Sequence, residues 1–129
     1  MVRVSRRRCS ILLASVLGLV AGLRPSRAWA GTDTSHDALR ALLDAILSDP
    51  AGARAIGRRF LASGPDAAAG ARALADRLLA ERPGSPTDLR CILARRRKDD
   101  LRRRAFVLVD GWILPRLEAQ VCALTVLLP

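Results

Sequence analysis

The fold class follows from residues 39–65, LRALLDAILSDPAGARAIGRRFLASGP, which carry two apolar stripes of helical period with a helix breaker after each. Leucine and isoleucine recur three and four residues apart over residues 39–47, so they share one face of a first helix. Asp49-Pro50 ends that helix and caps the next one, which stops at Gly64-Pro65. The second stripe consists of Ala53, Ile56, Gly57, Phe60 and Leu61. The segment therefore predicts two consecutive amphipathic helices.

Two further helices are predicted downstream. A third apolar stripe spans residues 71–79 and ends at Pro83-Gly84. Ser85 then supplies an N-cap hydroxyl, Pro86 takes the first helical position and Asp88 places an acid in the first turn, which together predict a fourth helix. Each helix is marginal alone, so its stability must come from apolar surface that it shares with the others.

A short hairpin is predicted between the fourth helix and a fifth. Apolar runs over residues 106–109 and 112–114 flank Asp110-Gly111, which suits the positive φ values of a two-residue turn. Because a two-stranded ribbon is barely stable alone, we expect helices beneath it. Trp112 is then expected to anchor the ribbon in the core, the alternative being a surface on which a ligand stacks. With a last helix opening at Pro115, the pattern predicts a mainly α-helical bundle of four or five helices with one hairpin.

Residues 1–30 have the organisation of an export signal, which leaves residues 31–129 as a single small helical domain. A basic stretch precedes an apolar run over residues 9–23, and small residues then suit cleavage by signal peptidase. The predicted cleavage site comprises Ala28, Ala30 and Gly31. The apolar run is shorter than the ~20 residues that a membrane-spanning helix needs, so an uncleaved anchor is the weaker alternative.

Ser5-Arg6-Arg7 resembles the start of the twin-arginine (Tat) export motif, in which a serine or threonine precedes two arginines. Cys9 and Ser10 depart from the Phe-Leu that usually follows. The resemblance implies that the Tat translocase exports the chain in a folded state, to the periplasm or otherwise out of the cytoplasm. The general secretory route remains the alternative.

A second resemblance covers the C-terminal part of the chain, Val109 to Leu124. Gly111-Trp112-Ile113-Leu114, Glu118-Ala119 and Cys122-Ala123-Leu124 resemble the Gly-Trp-x-Leu, Glu-Ala and Cys-Ala-Leu signature of small uncharacterised bacterial proteins with Tat signal peptides. Pro115 and Leu117 stand where those proteins tend to have serine and threonine. The resemblance implies no known activity.

The sequence after the leader lacks the motifs of cofactor and metal sites. It has no nucleotide-binding glycine fingerprint, no phosphate loop and no Cys-x-x-Cys pair, and its only histidine, His36, lies near the expected new N-terminus. Asp110 and Glu118 could be proposed as an acid/base pair, but eight residues across a turn fix no separation. Asp110 suits the turn and Glu118 the positive end of the last helix. We therefore expect no cofactor, no metal and no catalysis.

Charge is concentrated in one segment. Sixteen basic and twelve acidic residues follow Ala30, a net charge of +4, whereas Arg90 to Arg104 alone carry +6. The candidate partner-binding residues in this segment are Arg95, Arg96, Arg97, Arg102, Arg103 and Arg104. A solvated helix end, an acidic protein partner and an anionic membrane surface all fit such a cluster. Nucleic acid is least favoured, because the chain has no tyrosine and few aromatic residues for base stacking.

Two cysteines remain after the leader, Cys91 and Cys122. In an exported protein they are a candidate disulfide pair, the alternative being two buried thiols.

Taken together, the patterns favour a small exported non-catalytic accessory or binding protein that acts through a partner protein. The alternative is a protein of the membrane surface, or a polyanion-binding protein, that uses the basic segment from Arg90 to Arg104.

Overall fold

The computed structural model describes residues 32–129 and contains five helices and one hairpin in that range. The leader assignments, from Ser5, Arg6 and Arg7 to Ala28, Ala30 and Gly31, lie outside the described residues. The helices are α1 (Thr32–Ile46), α2 (Pro50–Leu61), α3 (Pro65–Glu81), α4 (Pro86–Arg103) and α5 (Arg116–Leu127), and the strands are β1 (Phe106–Val109) and β2 (Trp112–Pro115). The predicted small helical bundle with one hairpin is confirmed. Among the described helices, none is long and apolar enough to cross a membrane.

The starts of α2 and α4 are set by the residues that the sequence indicated. The Asp49 carboxylate accepts a hydrogen bond from the Gly52 N–H at 2.9 Å, and Pro50 follows the cap. The Ser85 hydroxyl accepts one from the Asp88 N–H at 3.1 Å. Side chains thus satisfy backbone donors that have no partner within the helix, which fixes where each helix begins.

The core is organised around α5, the last helix. It packs against α2 most extensively, and also against α1, α3, α4 and both strands. The largest fully buried side chains are Leu39, Leu43, Leu74, Leu78, Leu89 and Leu124. Three of the first four helices therefore turn their leucine stripes toward a central helix that is itself rich in small and branched apolar residues.

The hairpin forms with the predicted turn. Asp110 and Gly111 have φ values of 51° and 83°, and Val109 pairs with Trp112 across them. β2 runs one residue further than expected, because Pro115 still pairs with Phe106 before α5 begins. The ribbon is joined to α4 by a left-handed residue, Arg104, at φ 53°. This tight connection places the basic C-terminal end of α4 directly beside the hairpin.

Candidate functional site

Trp112 does not anchor the core, which corrects the expectation from the sequence. Its side chain is 73% exposed. Trp112 pairs with Val109 at the turn end of the ribbon, and Val109 is the residue buried there. The helices beneath the hairpin therefore cover Val109, and the larger indole extends past them into solvent.

The outer face of the hairpin is apolar and exposed. Side chains alternate between the two faces of a strand, so Phe106 and Leu108 lie opposite to Val107 and Val109. Leu108 and its cross-strand partner Ile113 are 69% and 71% exposed, and Phe106 is 43% exposed. We call Phe106, Leu108 and Ile113 the hairpin patch. It is contiguous, because directly opposed side chains of an antiparallel pair lie within contact distance of each other.

The six candidate arginines of the sequence do not form one surface. Arg96 pairs with Glu81 of α3, and the Nε atom of Arg97 lies 2.8 Å from a carboxylate oxygen of Glu118 in α5. These two side chains join α4 to its neighbours in the bundle. Their charge is largely compensated, so they are ill suited to hold a partner.

The other four arginines remain exposed to solvent. The Nη1 atom of Arg102 lies 3.8 Å from the Oδ1 atom of Asp99, a weak surface pair, whereas Arg95, Arg103 and Arg104 form no salt bridge with any residue from 34 to 129. Arg103 and Arg104 end α4 and lead into β1. Arg103 and Arg104 thus lie beside the hairpin, whereas Arg95 lies more than two turns earlier in α4.

A second basic helix end borders the hairpin. α2 carries Arg58 and Arg59 in its last turn and packs against β1, while α4 packs against β2. Arg59 forms an ion pair with Asp110 of the hairpin turn. Both neighbouring helices therefore present exposed guanidinium groups next to the apolar ribbon.

Asp100 has a role that sequence reasoning missed. Its carboxylate accepts a hydrogen bond from the backbone N–H of Leu117 at 2.6 Å. α5 starts after Pro115 and has no side-chain cap of its own. Asp100 therefore supplies the cap from α4. Because Asp100 and Leu117 are 17 residues apart in the sequence, no short-range sequence pattern indicates this contact.

The structure does not bring Asp110 and Glu118 together as an acid/base pair. Asp110 is held by Arg59 at the hairpin turn, and Glu118 is held by Arg97 in the first turn of α5. The two carboxylates line different cavities. Among the side chains of residues 34–129, no group of three or more histidines, cysteines, aspartates or glutamates is placed to hold a metal ion.

The structure contains no bond between Cys91 and Cys122, and both are free thiols. Cys91 follows the buried Leu89 by two residues, about 200° around α4, so it faces solvent. Cys122 lies in α5 and lines a groove of about 470 Å³ between α1, α4 and α5. Burial, and secondly the negative charge of Glu118, raise the pKa of the Cys122 thiol.

Besides Asp100, sequence reasoning missed Leu108, Ile113 and Arg59, which all lie at the hairpin. A signal for Leu108 and Ile113 was present, because residues 106–109 are apolar on both faces of a strand. A ribbon that rests on helices can bury only one of those faces.

Comparison with known proteins gives no matching family model, no similar curated protein and no similar solved structure.

Proposed function

We propose that this chain is a small non-catalytic binding protein that acts through a partner protein, with the hairpin patch as its contact surface. The observation that carries the proposal is the exposure of Leu108 and Ile113 at about 70% each, on a ribbon whose other face packs on the bundle. Contiguous exposed apolar side chains with a polar rim are typical of protein interaction sites. A partner that covered them would remove them from water.

The charge around the hairpin patch supports an acidic partner. Arg103 and Arg104 lead from the end of α4 into β1, and both are exposed and form no salt bridge within residues 34–129. Opposite charge on a partner would steer the encounter and fix its orientation, while the apolar patch would contribute most of the affinity. An accessory subunit of a larger exported assembly fits this combination.

The proposal includes export, on the basis of the leader. Ser5-Arg6-Arg7 and the small residues at Ala28 and Ala30 favour a Tat-type signal and a periplasmic or otherwise exported site of action. Because the Tat translocase carries folded proteins, the bundle would already be complete when it reaches its partner.

The decisive experiment compares proteins captured from native periplasm by three forms of the chain. The double variant Leu108→Ser, Ile113→Ser removes most of the hairpin patch, and Leu101→Ser is a matched control because Leu101 is an exposed leucine outside it. We expect a discrete protein that the wild type and the control retain and that the double variant loses. Identical capture by all three would show that the hairpin patch is not the contact surface.

The role of the arginines is tested with Arg102, Arg103 and Arg104 changed to glutamine. If they steer an acidic partner, association slows and its dependence on salt becomes flatter, while the dissociation rate changes little. An unchanged association rate would mean that these arginines only solubilise the helix end.

An anionic membrane surface is the second candidate. It is favoured by the exposed Trp112 next to arginines, since tryptophan and arginine both suit the boundary between lipid and water. Sedimentation with phosphatidylglycerol vesicles at low salt, lost at high salt, would support this role. Binding only to vesicles of neutral lipid would not support this role.

A further inference from the structure

The pairing of the hairpin determines which backbone groups of the ribbon point outward. The Arg116 N–H donates to the Ala105 carbonyl oxygen at 2.9 Å, which continues the ladder past the ends of the two strands. Hydrogen-bonded and non-hydrogen-bonded pairs alternate along an antiparallel ladder, so Leu108 and Ile113 form a non-hydrogen-bonded pair. Their backbone N–H and C=O groups therefore point out of the two opposite edges of the ribbon.

These outward groups are open to a further strand. Within residues 32–129, no hydrogen bond joins the backbone of Leu108 or Ile113 to a residue outside the ribbon. Proteins usually protect a sheet edge with charged side chains, with proline or with a covering segment, because an open edge is a template for another strand. β1 contains neither a charged residue nor a proline, and Leu108 is 69% exposed.

The two edges differ in the side chains that accompany them. On the outer face of β1, Phe106 and Leu108 are both exposed, in alternate positions. On the outer face of β2, Ile113 is exposed but Pro115 is buried, and α5 begins directly after it. A strand added at β1 therefore covers two apolar side chains of the hairpin patch beside it, and a strand added at β2 covers one.

Charge selects the kind of segment that fits the β1 edge. Arg103 and Arg104 lead directly into β1, are exposed and form no salt bridge within residues 34–129. An antiparallel strand, the more stable arrangement, would place the residues after its apolar pair beside these arginines, where acidic residues suit them. A second copy paired through its own β1 would place its hairpin turn there instead. Arg59 already pairs with Asp110, the acid of that turn, so the charges favour a foreign segment.

We propose that the β1 edge accepts an extended segment of the partner protein as a third, antiparallel strand, with two apolar residues in alternate positions followed by acidic residues. The inference rests on the proposed function, which it extends by naming the form in which the partner binds. In strand addition, main-chain hydrogen bonds supply affinity and alternate side chains supply specificity. One occupant thus satisfies the open backbone groups of Leu108 and covers the exposed side chains of the same strand.

The test uses the full-length chain and four capped peptides. Acetyl-Thr-Val-Thr-Val-Thr-Glu-Glu-amide carries the alternating apolar residues and the acids. One control peptide has N-methyl groups on both valines, which removes the donors that would face β1 and keeps the side chains. The other two replace both valines with serine or both glutamates with glutamine.

Binding is followed by NMR through hydrogen exchange of single backbone amides. With the first peptide at about ten times its dissociation constant, we expect exchange of the Leu108 amide to slow by about tenfold. The Ile113 amide, at the opposite edge, should exchange as fast as before. Each control peptide should bind more weakly by about fivefold or more.

Matched proline variants locate the edge. Leu108→Pro removes the N–H that would face the added strand, and Ile113→Pro removes the equivalent N–H at the other edge. Proline is tolerated at such outward positions of edge strands. We expect Leu108→Pro to abolish peptide binding and Ile113→Pro to retain it. Circular dichroism checks that both variants fold, and the N-methylated peptide makes the same test on the unaltered chain.

Several outcomes would overturn the added strand. Equal binding of the valine peptide and its N-methylated form would show that side chains alone dock on the hairpin patch. Slower exchange of the Leu108 amide as the chain alone is concentrated would assign the edge to a second copy. Protection of the Ile113 amide by the peptide would place the strand on β2.

The test also separates this inference from the proposed function. If no peptide slows exchange at Leu108 but the Leu108→Ser, Ile113→Ser variant still loses its captured protein, the added strand is wrong and the proposed function stands. If the peptide protects Leu108 but all three forms capture the same proteins, the edge is retained and the proposed function is rejected.

Discussion

Gly57 of α2 lies directly against the backbone carbonyl of Cys122 in α5, so closely that a β-carbon at position 57 would overlap the carbonyl oxygen. This contact lies within the most extensive helix pair of the bundle. The absence of a side chain at Gly57 is what allows the two backbones to approach. The packing of α5 at the centre of the bundle therefore depends on this glycine.

The first prediction follows from that contact. Alanine normally stabilises a helix interior by about 1 kcal/mol relative to glycine, but at position 57 the new methyl group meets backbone that cannot move aside. We expect Gly57→Ala to lower the free energy of unfolding by about 2 kcal/mol. Urea denaturation followed by circular dichroism measures the change.

Gly70→Ala is the matched control for this prediction. A β-carbon at Gly70 would meet only the end of the Gln120 side chain, at 2.8 Å, and that side chain can rotate away. We expect Gly70→Ala to be neutral or stabilising by up to about 1 kcal/mol. Equal effects of the two substitutions would contradict the close approach of α2 to α5.

The second prediction concerns the cap that Asp100 provides to α5. Asp100→Ala leaves the Leu117 N–H without its carboxylate partner in a partly buried position. We expect a loss of about 1–2 kcal/mol in the free energy of unfolding, as for other capping residues. Asp99→Ala, which removes only an exposed contact with Arg102, should change it by less than about 0.5 kcal/mol. If both variants lose the same stability, Asp100 is not a cap.

The third prediction concerns the two thiols. We expect two free thiols in the denatured chain without reductant, and native Cys91 to react with a maleimide about tenfold faster than Cys122 at pH 8. The raised pKa of Cys122 means that less of it is thiolate at a given pH. Its reaction rate should therefore still rise with pH above 9.0, the ordinary pKa of the thiol.

Glu118→Gln provides the control for the thiol prediction. Removing that negative charge lowers the pKa of Cys122 toward its ordinary value, so Cys122 should react faster at pH 8 while the rate of Cys91 stays the same. A denatured chain with no titratable thiol would instead show that the cysteines are bridged after export.

The fourth prediction separates the two groups of arginines in α4. Changing Arg96 and Arg97 to glutamine removes both ion pairs to neighbouring helices, and we expect a loss of about 1 kcal/mol in total. Changing Arg95, Arg103 and Arg104 to glutamine should leave stability within about 0.5 kcal/mol. The stabilities of the double variant and of the triple variant are compared by thermal unfolding at the same ionic strength. Equal losses would mean that the basic segment acts as one structural unit.

The fifth prediction tests the leader. Replacing Arg6 and Arg7 together with lysine should leave the precursor in the cytoplasm, because the Tat translocase depends on the arginine pair. Cell fractionation and mass spectrometry of the exported wild type, with Gly31 expected at its N-terminus, measure the result. Normal export of the double-lysine variant would assign the leader to the general secretory route.

The sequence alone determined the features that depend on neighbouring residues. Asp49-Pro50 and Ser85-Pro86 start helices because a side-chain oxygen within three residues satisfies a backbone donor. Asp110-Gly111 forms the hairpin turn because these residues tolerate positive φ. Capping, helical period and turn conformation are local interactions, so they can be inferred without knowing where the rest of the chain lies.

Tertiary structure alone decided which surfaces those elements present. The apolar stripe of α5 does not reveal that the backbone of α5 packs directly against Gly57. It also does not reveal that Asp100, seventeen residues before Leu117, caps α5. The sequence predicts Trp112 as the anchor of the ribbon in the core, yet Val109 is the residue that the helices cover. The division of the basic cluster into paired and free arginines likewise depends on Glu81 and Glu118, which come from other helices. These outcomes depend on how helices of similar pattern dock, and docking is governed by the shape and charge of distant residues rather than by local periodicity.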